Sequence, residues 1–308
     1  MPSWLHQLID ALVTGVAQGA MIALVALGYS MVYGVLKLIN FAHSEVFMLS
    51  AYLGLFAIMA LGGEAHPLLA GVGGTLLAMF AAAIIGMTVE RIGYRPLRKK
   101  GKGPLARVTP LVTALGVSVF LQNLAQLLFT AAPKPYPQLL PAGSSVALGS
   151  FHLAQSRLII FVAAIVVMLL LNWIVKKTWF GKAMRALSSN EEAARLMGIN
   201  TSRVISTTFA LGSGLAALGA VLFCLDQSQA TPTMGTKIGT YAFVAAVLGG
   251  IGNITGALLG GLLIGVLGEM LKLTSYSGGV EVIVFLVLIA VLLWRPAGLL
   301  GSTRAEKV

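Results

Sequence analysis

Long stretches without a charged side chain divide this sequence. The longest cover residues 11–36, 67–89, 108–133 and 238–268, and shorter ones cover 46–63, 158–175 and 204–225. An α-helix needs about 20 apolar residues to cross the roughly 30 Å of bilayer hydrocarbon, and several stretches exceed that length. They are apolar on all sides, whereas a surface helix of a water-soluble protein is apolar along one stripe. The sequence therefore predicts an all-α fold, a polytopic transmembrane helical bundle forming one domain over residues 1–308.

Two basic islands set the predicted orientation of this bundle. The first contains Arg91, Arg95, Arg98, Lys99, Lys100, Lys102 and Arg107, and the second contains Lys176, Lys177, Lys182, Arg185, Arg195 and Arg203. Short loops rich in Lys and Arg remain on the cytoplasmic side of a membrane. Because each island adjoins a predicted span, the net charge of +11 indicates topology and does not indicate nucleic-acid binding.

The predicted spans alternate across the membrane. Three precede the first island, at about 8–36, 41–63 and 67–90, which places the N-terminus outside. Spans at about 108–131 and 158–175 enclose an outer loop, and those at 204–225 and 280–297 complete the crossings, with the C-terminus in the cytoplasm. Together with the segment between the last two spans, this predicts about eight membrane segments.

A glycine-rich turn interrupts residues 241–271. Gly249, Gly250 and Gly252 precede Asn253, and each glycine weakens a helix by up to about 1 kcal/mol relative to alanine. We predict two short or re-entrant helices that meet at this turn. Broken backbone of this kind is tolerated at membrane depth only where protein or a water-lined path surrounds it.

A short cytoplasmic helix is predicted within the second island, at about 189–198. Ser189 and Glu192 match a capping box, and Gly198 suits the left-handed position that follows a last turn. Ala193, Leu196 and Met197 fall on one face, beside Ala194. The pattern Glu192-Ala193-Ala194-x-x-x-Gly198 resembles the loop by which permeases of ATP-binding-cassette (ABC) importers dock on their ATPase subunits. The alternative is an ordinary capped connecting helix.

Polar residues interrupt two of the apolar regions. Asn40, His43, Ser44 and Glu45 lie between the first two spans, and such groups within a membrane are candidates for a translocation path. The alternative is a turn at the cytoplasmic edge, where Asn40 or Ser44 caps the second helix and His43 and Glu45 neutralise each other. Gln122 and Asn123 lie within a span, where they would join helices by hydrogen bonds or meet a polar substrate.

Motifs for catalysis are missing from the sequence. It contains no Gly-x-x-x-x-Gly-Lys-Ser/Thr phosphate loop, no His-Glu-x-x-His zinc motif and no Gly-x-Ser-x-Gly elbow. The chain is therefore not expected to be an enzyme, and it needs no metal or cofactor of its own. If ATP drives it, the nucleotide must bind to a partner.

Several sequence blocks together resemble the LivH type of branched-chain amino-acid ABC importer permease. They are Gly28-Tyr29-Ser30-Met31-Val32-Tyr33-Gly34, Ile39-Asn40-Phe41-Ala42-His43-Ser44-Glu45, Glu90-Arg91-Ile92-Gly93-Tyr94-Arg95-Pro96-Leu97-Arg98, Leu196-Met197-Gly198-Ile199-Asn200, Ala246-Val247-Leu248-Gly249-Gly250-Ile251-Gly252-Asn253 and Pro296-Ala297-Gly298-Leu299-Leu300-Gly301. The resemblance covers essentially the whole chain. Ser44 and Thr255 depart from it, since the family usually has Gly and Pro there.

The resemblance implies a location and a set of partners. The expected location is the bacterial cytoplasmic (inner) membrane, in contact with lipid. The expected partners are a second, LivM-like permease, two cytosolic ATPases that bind ATP and Mg, and a periplasmic protein that delivers leucine, isoleucine or valine. Related permeases look to carry other amino acids, short amides or urea, and a secondary transporter driven by an ion gradient is the alternative mechanism.

Overall fold

The computed structural model of the chain describes residues 3–100, 108–139, 145–148, 151–274 and 277–301. Its helices are α1 (Ser3–Leu36), α2 (Ala42–Ala60), α3 (Pro67–Val89), α4 (Arg95–Lys100), α5 (Thr109–Phe129), α6 (Gln155–Lys177), α7 (Trp179–Ser189), α8 (Glu191–Leu196), α9 (Thr201–Gln227), α10 (Met234–Gly249), α11 (Ile254–Lys272) and α12 (Val280–Trp294). A π-helical turn (Glu90–Tyr94) joins α3 to α4. Residues 101–107 of the first basic island lie outside the described residues.

Four short strands accompany the helices. Strand β1 (Lys134–Pro135) pairs antiparallel with β4 (Gln229–Ala230), and β2 (Ser145–Leu148) pairs antiparallel with β3 (Phe151–Ala154). All but β4 lie in the predicted outer loop, which also contains residues 140–144 and 149–150, outside the described ranges. The strands do not change the class, and the predicted all-α fold is confirmed.

The described part of the chain contains eight helices long and apolar enough to cross a membrane. They are α1, α2, the continuous segment from α3 through the π-helical turn, α5, α6, α9, α11 and α12 with the turn before it. Helices α1, α2 and α9 are mostly buried, whereas α3, α5, α6 and α12 expose long rows of apolar side chains. Leu68 and Leu127, for example, are 80% and 83% exposed. An apolar surface this extensive is stable against lipid and would aggregate in water.

Glycine allows α1 and α11 to pack at very short distance. A Cβ added at Gly265 would lie 2.2 Å from the nitrogen of Gly19, and one added at Gly261 would lie 2.6 Å from the Cα of Ala23. Small residues four positions apart are the usual means by which membrane helices approach closely. The pairing is antiparallel, because lower numbers on α1 meet higher numbers on α11.

Successive long helices run in alternating directions, and this defines two ends of the bundle. We call the end that contains the C-terminus of α1, together with α7 and α8, the lower end. The opposite end, which contains the C-termini of α2 and α11, is the upper end.

The predicted glycine turn is present, but its helices are longer than expected. Helix α10 begins at Met234, seven residues before the predicted start, and α11 ends at Lys272. Gly250 and Gly252 have φ values of 103° and 90°, which only glycine adopts without strain. The turn lies at the lower end, because Gly252 faces Gly34 and because the backbone nitrogens of Leu299 and Leu300 donate to the carbonyls of Leu248 and Gly249. The segment is therefore a helical hairpin whose turn reaches one end of the bundle.

Candidate functional site

Helix α8 begins at Glu191, and its cap is Asn190. The Oδ1 atom of Asn190 accepts a hydrogen bond from the backbone nitrogen of Ala193 at 3.0 Å. The predicted cap at Ser189 is wrong, because α7 continues through Ser189 and ends there. Asn and Ser are equally good caps, so the residue that follows the end of α7 takes this role. Gly198 has φ of 81°, which confirms its predicted left-handed conformation.

The face of α8 that points away from the bundle is apolar. Leu196 and Met197 are 88% and 83% exposed, and Ala193 is exposed beside them. Ala194 is buried on the opposite face, where its carbonyl accepts a hydrogen bond from the nitrogen of Ile199. The charged residues Glu191, Glu192 and Arg195 surround the apolar face. A large exposed apolar surface on a capped, supported helix is typical of a protein-binding site.

The polar segment between α1 and α2 lies inside the bundle. Asn40, His43, Ser44 and Glu45 are all buried. A Cβ at Gly28 would lie 2.3 Å from Nε2 of His43, so α2 begins level with Gly28. Gly28 precedes the end of α1 by about 12 Å at 1.5 Å per residue. The alternative of a turn at the membrane edge does not describe this segment.

The predicted capping of α2 is wrong. Phe41 occupies the N-cap position and no side chain caps the helix. Ser44 donates to the carbonyl of Phe41 at 2.7 Å, and Asn40 accepts a hydrogen bond from the hydroxyl of Tyr94 at 2.7 Å. Ser44 thus bonds within its own first turn, whereas the partner of Asn40 comes from a distant segment of the chain.

His43 and Glu45 do not form the predicted pair. The ring of His43 packs edge-on against Tyr29, with centroids 4.7 Å apart. The Oε1 atom of Glu45 accepts from Ser118 at 3.4 Å and lies 3.4 Å from the hydroxyl of Ser44, whose proton goes to Phe41. Within the described ranges, Nε2 of His43 and Oε2 of Glu45 have no hydrogen-bond partner. Glu45 is thus a buried acid beside two hydroxyl groups.

Polar side chains on α5 and α10 continue this region toward the surface. Gln122 donates to the hydroxyl of Thr236 at 3.3 Å, and this hydrogen bond joins the two helices. Thr236 is exposed, and Thr240, one turn later on the same side of α10, is half-buried. Asn123 instead bonds to the carbonyl of Val119 in its own helix at 2.8 Å and is exposed. Unlike the outer faces of α3, α6 and α12, this face is unsuited to lipid.

A buried polar network that the sequence did not predict joins the π-helical turn, α4 and α9. The hydroxyl of Ser206 donates to Oε2 of Glu90 at 2.6 Å, and Arg95 contacts that carboxylate at 3.2 Å and the hydroxyl of Ser206 at 2.8 Å. Glu90 is completely buried. Tyr94, one residue before Arg95, donates to Asn40. The network therefore connects the first turns of α9, directly after α8, to the buried break before α2.

The family to which the chain belongs follows from comparison with known proteins. The family described as the permease component of the branched-chain amino acid transport system matches residues 11–293. The chain belongs to this permease family. It is similar to the high-affinity branched-chain amino acid transport system permease protein BraD of Pseudomonas aeruginosa, with 40% identity and all of both chains covered. It is also similar to LivH of Escherichia coli, with 37% identity over 96% of each chain.

A more distant relative is named for a different substrate. The ribose import permease RbsC of Escherichia coli is 29% identical, over 82% of this permease and 86% of its own length. No solved structure matches the permease. As a member of an ABC permease family, the chain is a membrane component and not an enzyme, and the family implies ATPase and binding-protein partners.

Proposed function

We propose that the chain is the permease subunit of an ATP-driven importer for leucine, isoleucine and valine. It would form the translocation path together with a second, LivM-like permease, above two cytosolic ATPases that bind ATP and Mg, and would receive substrate from a periplasmic binding protein. The substrate is that named for its relatives, BraD and LivH. The exposed apolar face of α8 is the observation on which the coupling to ATP depends.

The orientation of the bundle supports this role. The lower end carries most of the described basic side chains, namely Lys37, Arg91, Arg95, Lys176, Lys177, Lys182, Arg185, Arg195, Arg203 and Arg295. By the positive-inside rule this end is cytoplasmic, in the inner membrane, and the N-terminus is outside. Helix α8 then faces the compartment that contains the ATPases.

A mechanical route from α8 to the middle of the membrane also supports it. Helix α8 is joined to α9 by a short turn, in which Asn200 caps α9 by accepting from the nitrogen of Arg203 at 3.1 Å. Two turns later Ser206 bonds to Glu90, and Tyr94 bonds to Asn40. Movement of α8 with an ATPase would therefore displace the buried break beside Glu45. Rigid helices linked by hydrogen bonds carry such movements well.

The polar face of α5 and α10 is the part of the surface that suits a translocation path. Ser118, Gln122, Thr236 and Thr240 would line it opposite the second permease, with Glu45 behind Ser118. The weak and mostly neutral character of this face suits brief contact with an aliphatic amino acid, because tight binding in the path would slow release.

The test is uptake by the assembled complex in proteoliposomes. Leu196→Glu places a charge at the centre of the proposed ATPase contact, and we expect uptake of leucine to fall at least tenfold, because truncation of a central interface residue commonly costs about 2 kcal/mol. Leu196→Met keeps an apolar side chain and should retain most of the uptake. Membrane insertion of both variants is checked by their yield in the membrane fraction.

The rival mechanism predicts a different result. If uptake follows an imposed pH gradient and ignores ATP, the permease is a secondary transporter and the proposal is wrong. If ATP drives uptake of ribose, an amide or urea in preference to leucine, the mechanism stands and the substrate assignment fails.

A further inference from the structure

A recess in the upper half of the bundle is separate from the polar face described above. It has a volume of about 220 Å³ and lies between α1, α9, α10, α11 and α12. Gly265 and Gly268 form part of its wall on α11, and Gln227, the last residue of α9, lies beside it. The volume equals that of about seven water molecules, which is the size range of one small organic solute.

Of the three charged residues that line the recess, two form an ion pair and one does not. Glu269 is buried and forms an ion pair with Lys272 through Oε1. Lys237, from the first turn of α10, also lines the recess, and no hydrogen bond or ion pair joins it to another described residue. The side chain of Lys237 is exposed, so an anion that enters the recess need only displace water from its ammonium group. Lys237 is therefore available to an anionic group in the recess.

The recess also has aliphatic lining residues. Ile22, Ile264, Val280 and Val284 line it. The recess thus offers a cation without a partner, a carboxylate with a second oxygen that can accept from an ammonium group, and an aliphatic wall. These three features match the carboxylate, the ammonium group and the side chain of an aliphatic α-amino acid in its zwitterionic form.

We propose that this recess binds a free aliphatic α-amino acid on the periplasmic side of the membrane. Lys237 binds the carboxylate, Glu269 binds the ammonium group while keeping Lys272, and the side chain lies against the aliphatic wall. The choice of an amino acid rests on the proposed function. The site itself is additional to the path, because neither Thr236 nor Gln122, which bonds to it from α5, is among the residues that line the recess.

Binding of radiolabelled leucine to the assembled complex, in phosphatidylcholine nanodiscs without binding protein, tests the proposal. Lys237→Met removes a charge that no described protein group uses, so it should leave folding intact. A hydrogen bond between charged groups is worth enough to weaken leucine binding roughly 10- to 100-fold. Lys134→Met is the matched control, because Lys134 lies at the same end, 6.0 Å above the ring of Phe56 and outside the recess.

A second ligand separates recognition from a structural effect. The amine 3-methylbutylamine keeps the side chain and ammonium group of leucine but lacks the carboxylate. Lys237→Met should leave its dissociation constant unchanged, whereas Glu269→Gln should weaken both ligands.

Two results would refute leucine binding in the recess while leaving the proposed transport function intact. One is equal leucine affinity in Lys237→Met and the native complex, and the other is no leucine binding by a complex that still takes up leucine with ATP. Loss of leucine binding when phosphatidylethanolamine replaces part of the phosphatidylcholine would instead assign the recess to a lipid headgroup and overturn the proposal. A native complex that fails to take up leucine with ATP would refute the proposed function itself.

Discussion

The contact between α1 and α11 allows a quantitative prediction for Gly265→Ala. The new methyl group would lie 2.2 Å from the nitrogen of Gly19, 2.3 Å from its Cα and 2.5 Å from the carbonyl oxygen of Gly15. Carbon atoms normally approach to about 3.5 Å, so the helices must separate locally by about 1 Å. The atoms in the way belong to the backbone, which cannot turn aside as a side chain can.

This separation sets the expected loss of stability. A gap of 0.5–1 Å forfeits a quarter to a half of the dispersion energy of the atoms along the contact. Overpacking of a well-packed interior typically costs about 1–3 kcal/mol, and we expect Gly265→Ala at the upper part of that range. The measurement is unfolding of the purified permease in mixed micelles by increasing dodecyl sulfate, followed by circular dichroism.

Gly268 in the same helix provides the control. A methyl group there would meet only Cγ1 of Val280, at an ordinary 3.8 Å. Since alanine is up to about 1 kcal/mol better than glycine in a helix, Gly268→Ala should be neutral or slightly stabilising. Equal midpoints for the two variants would refute the close-packing argument.

Two further substitutions test individual hydrogen bonds. Asn190→Ala removes the cap of α8 and should cost about 1 kcal/mol, so amide hydrogen exchange in residues 191–197 should accelerate roughly fivefold; Ser189→Ala should leave it unchanged, and the reverse order would restore the original capping prediction. Tyr94→Phe leaves the buried Oδ1 atom of Asn40 without its hydrogen-bond donor at 2.7 Å. It should destabilise the permease by about 1–3 kcal/mol in the same unfolding assay. An unchanged midpoint would show that water or another group replaces that bond.

The spans could be predicted from sequence because length and apolarity alone decide them. The start of α10 could not, because Lys237 and two threonines lie in its first two turns and resemble a loop. They are accommodated there because they face a recess and a polar surface that other helices create. The glycine hairpin is a similar case. Its glycines predict a turn from local sequence alone, but the position of that turn at the lower end depends on contacts with Gly34 and Leu300.

The candidate site was predicted in part. Gly198 and the exposed apolar face of α8 follow from local pattern, since spacing on one helix determines both. The depth of Asn40 and Glu45 depends on glycines elsewhere, chiefly Gly28, that make space for α2 to begin inside the bundle. The bond between Ser206 and Glu90 joins residues 116 positions apart, and no sequence pattern of either segment encodes it.

The hydrogen bonds at the lower end of the α10–α11 hairpin have a consequence for biosynthesis. Asn253 caps α11, and its side-chain nitrogen donates to the carbonyl of Leu300, 47 residues later. The carbonyls of Leu248 and Gly249 also accept hydrogen bonds from this distant segment. During translation water at the tip of the hairpin must therefore satisfy these groups until the later segment has been made. The hairpin reaches its final form only after α12 has been inserted and the chain that follows has folded back to close it.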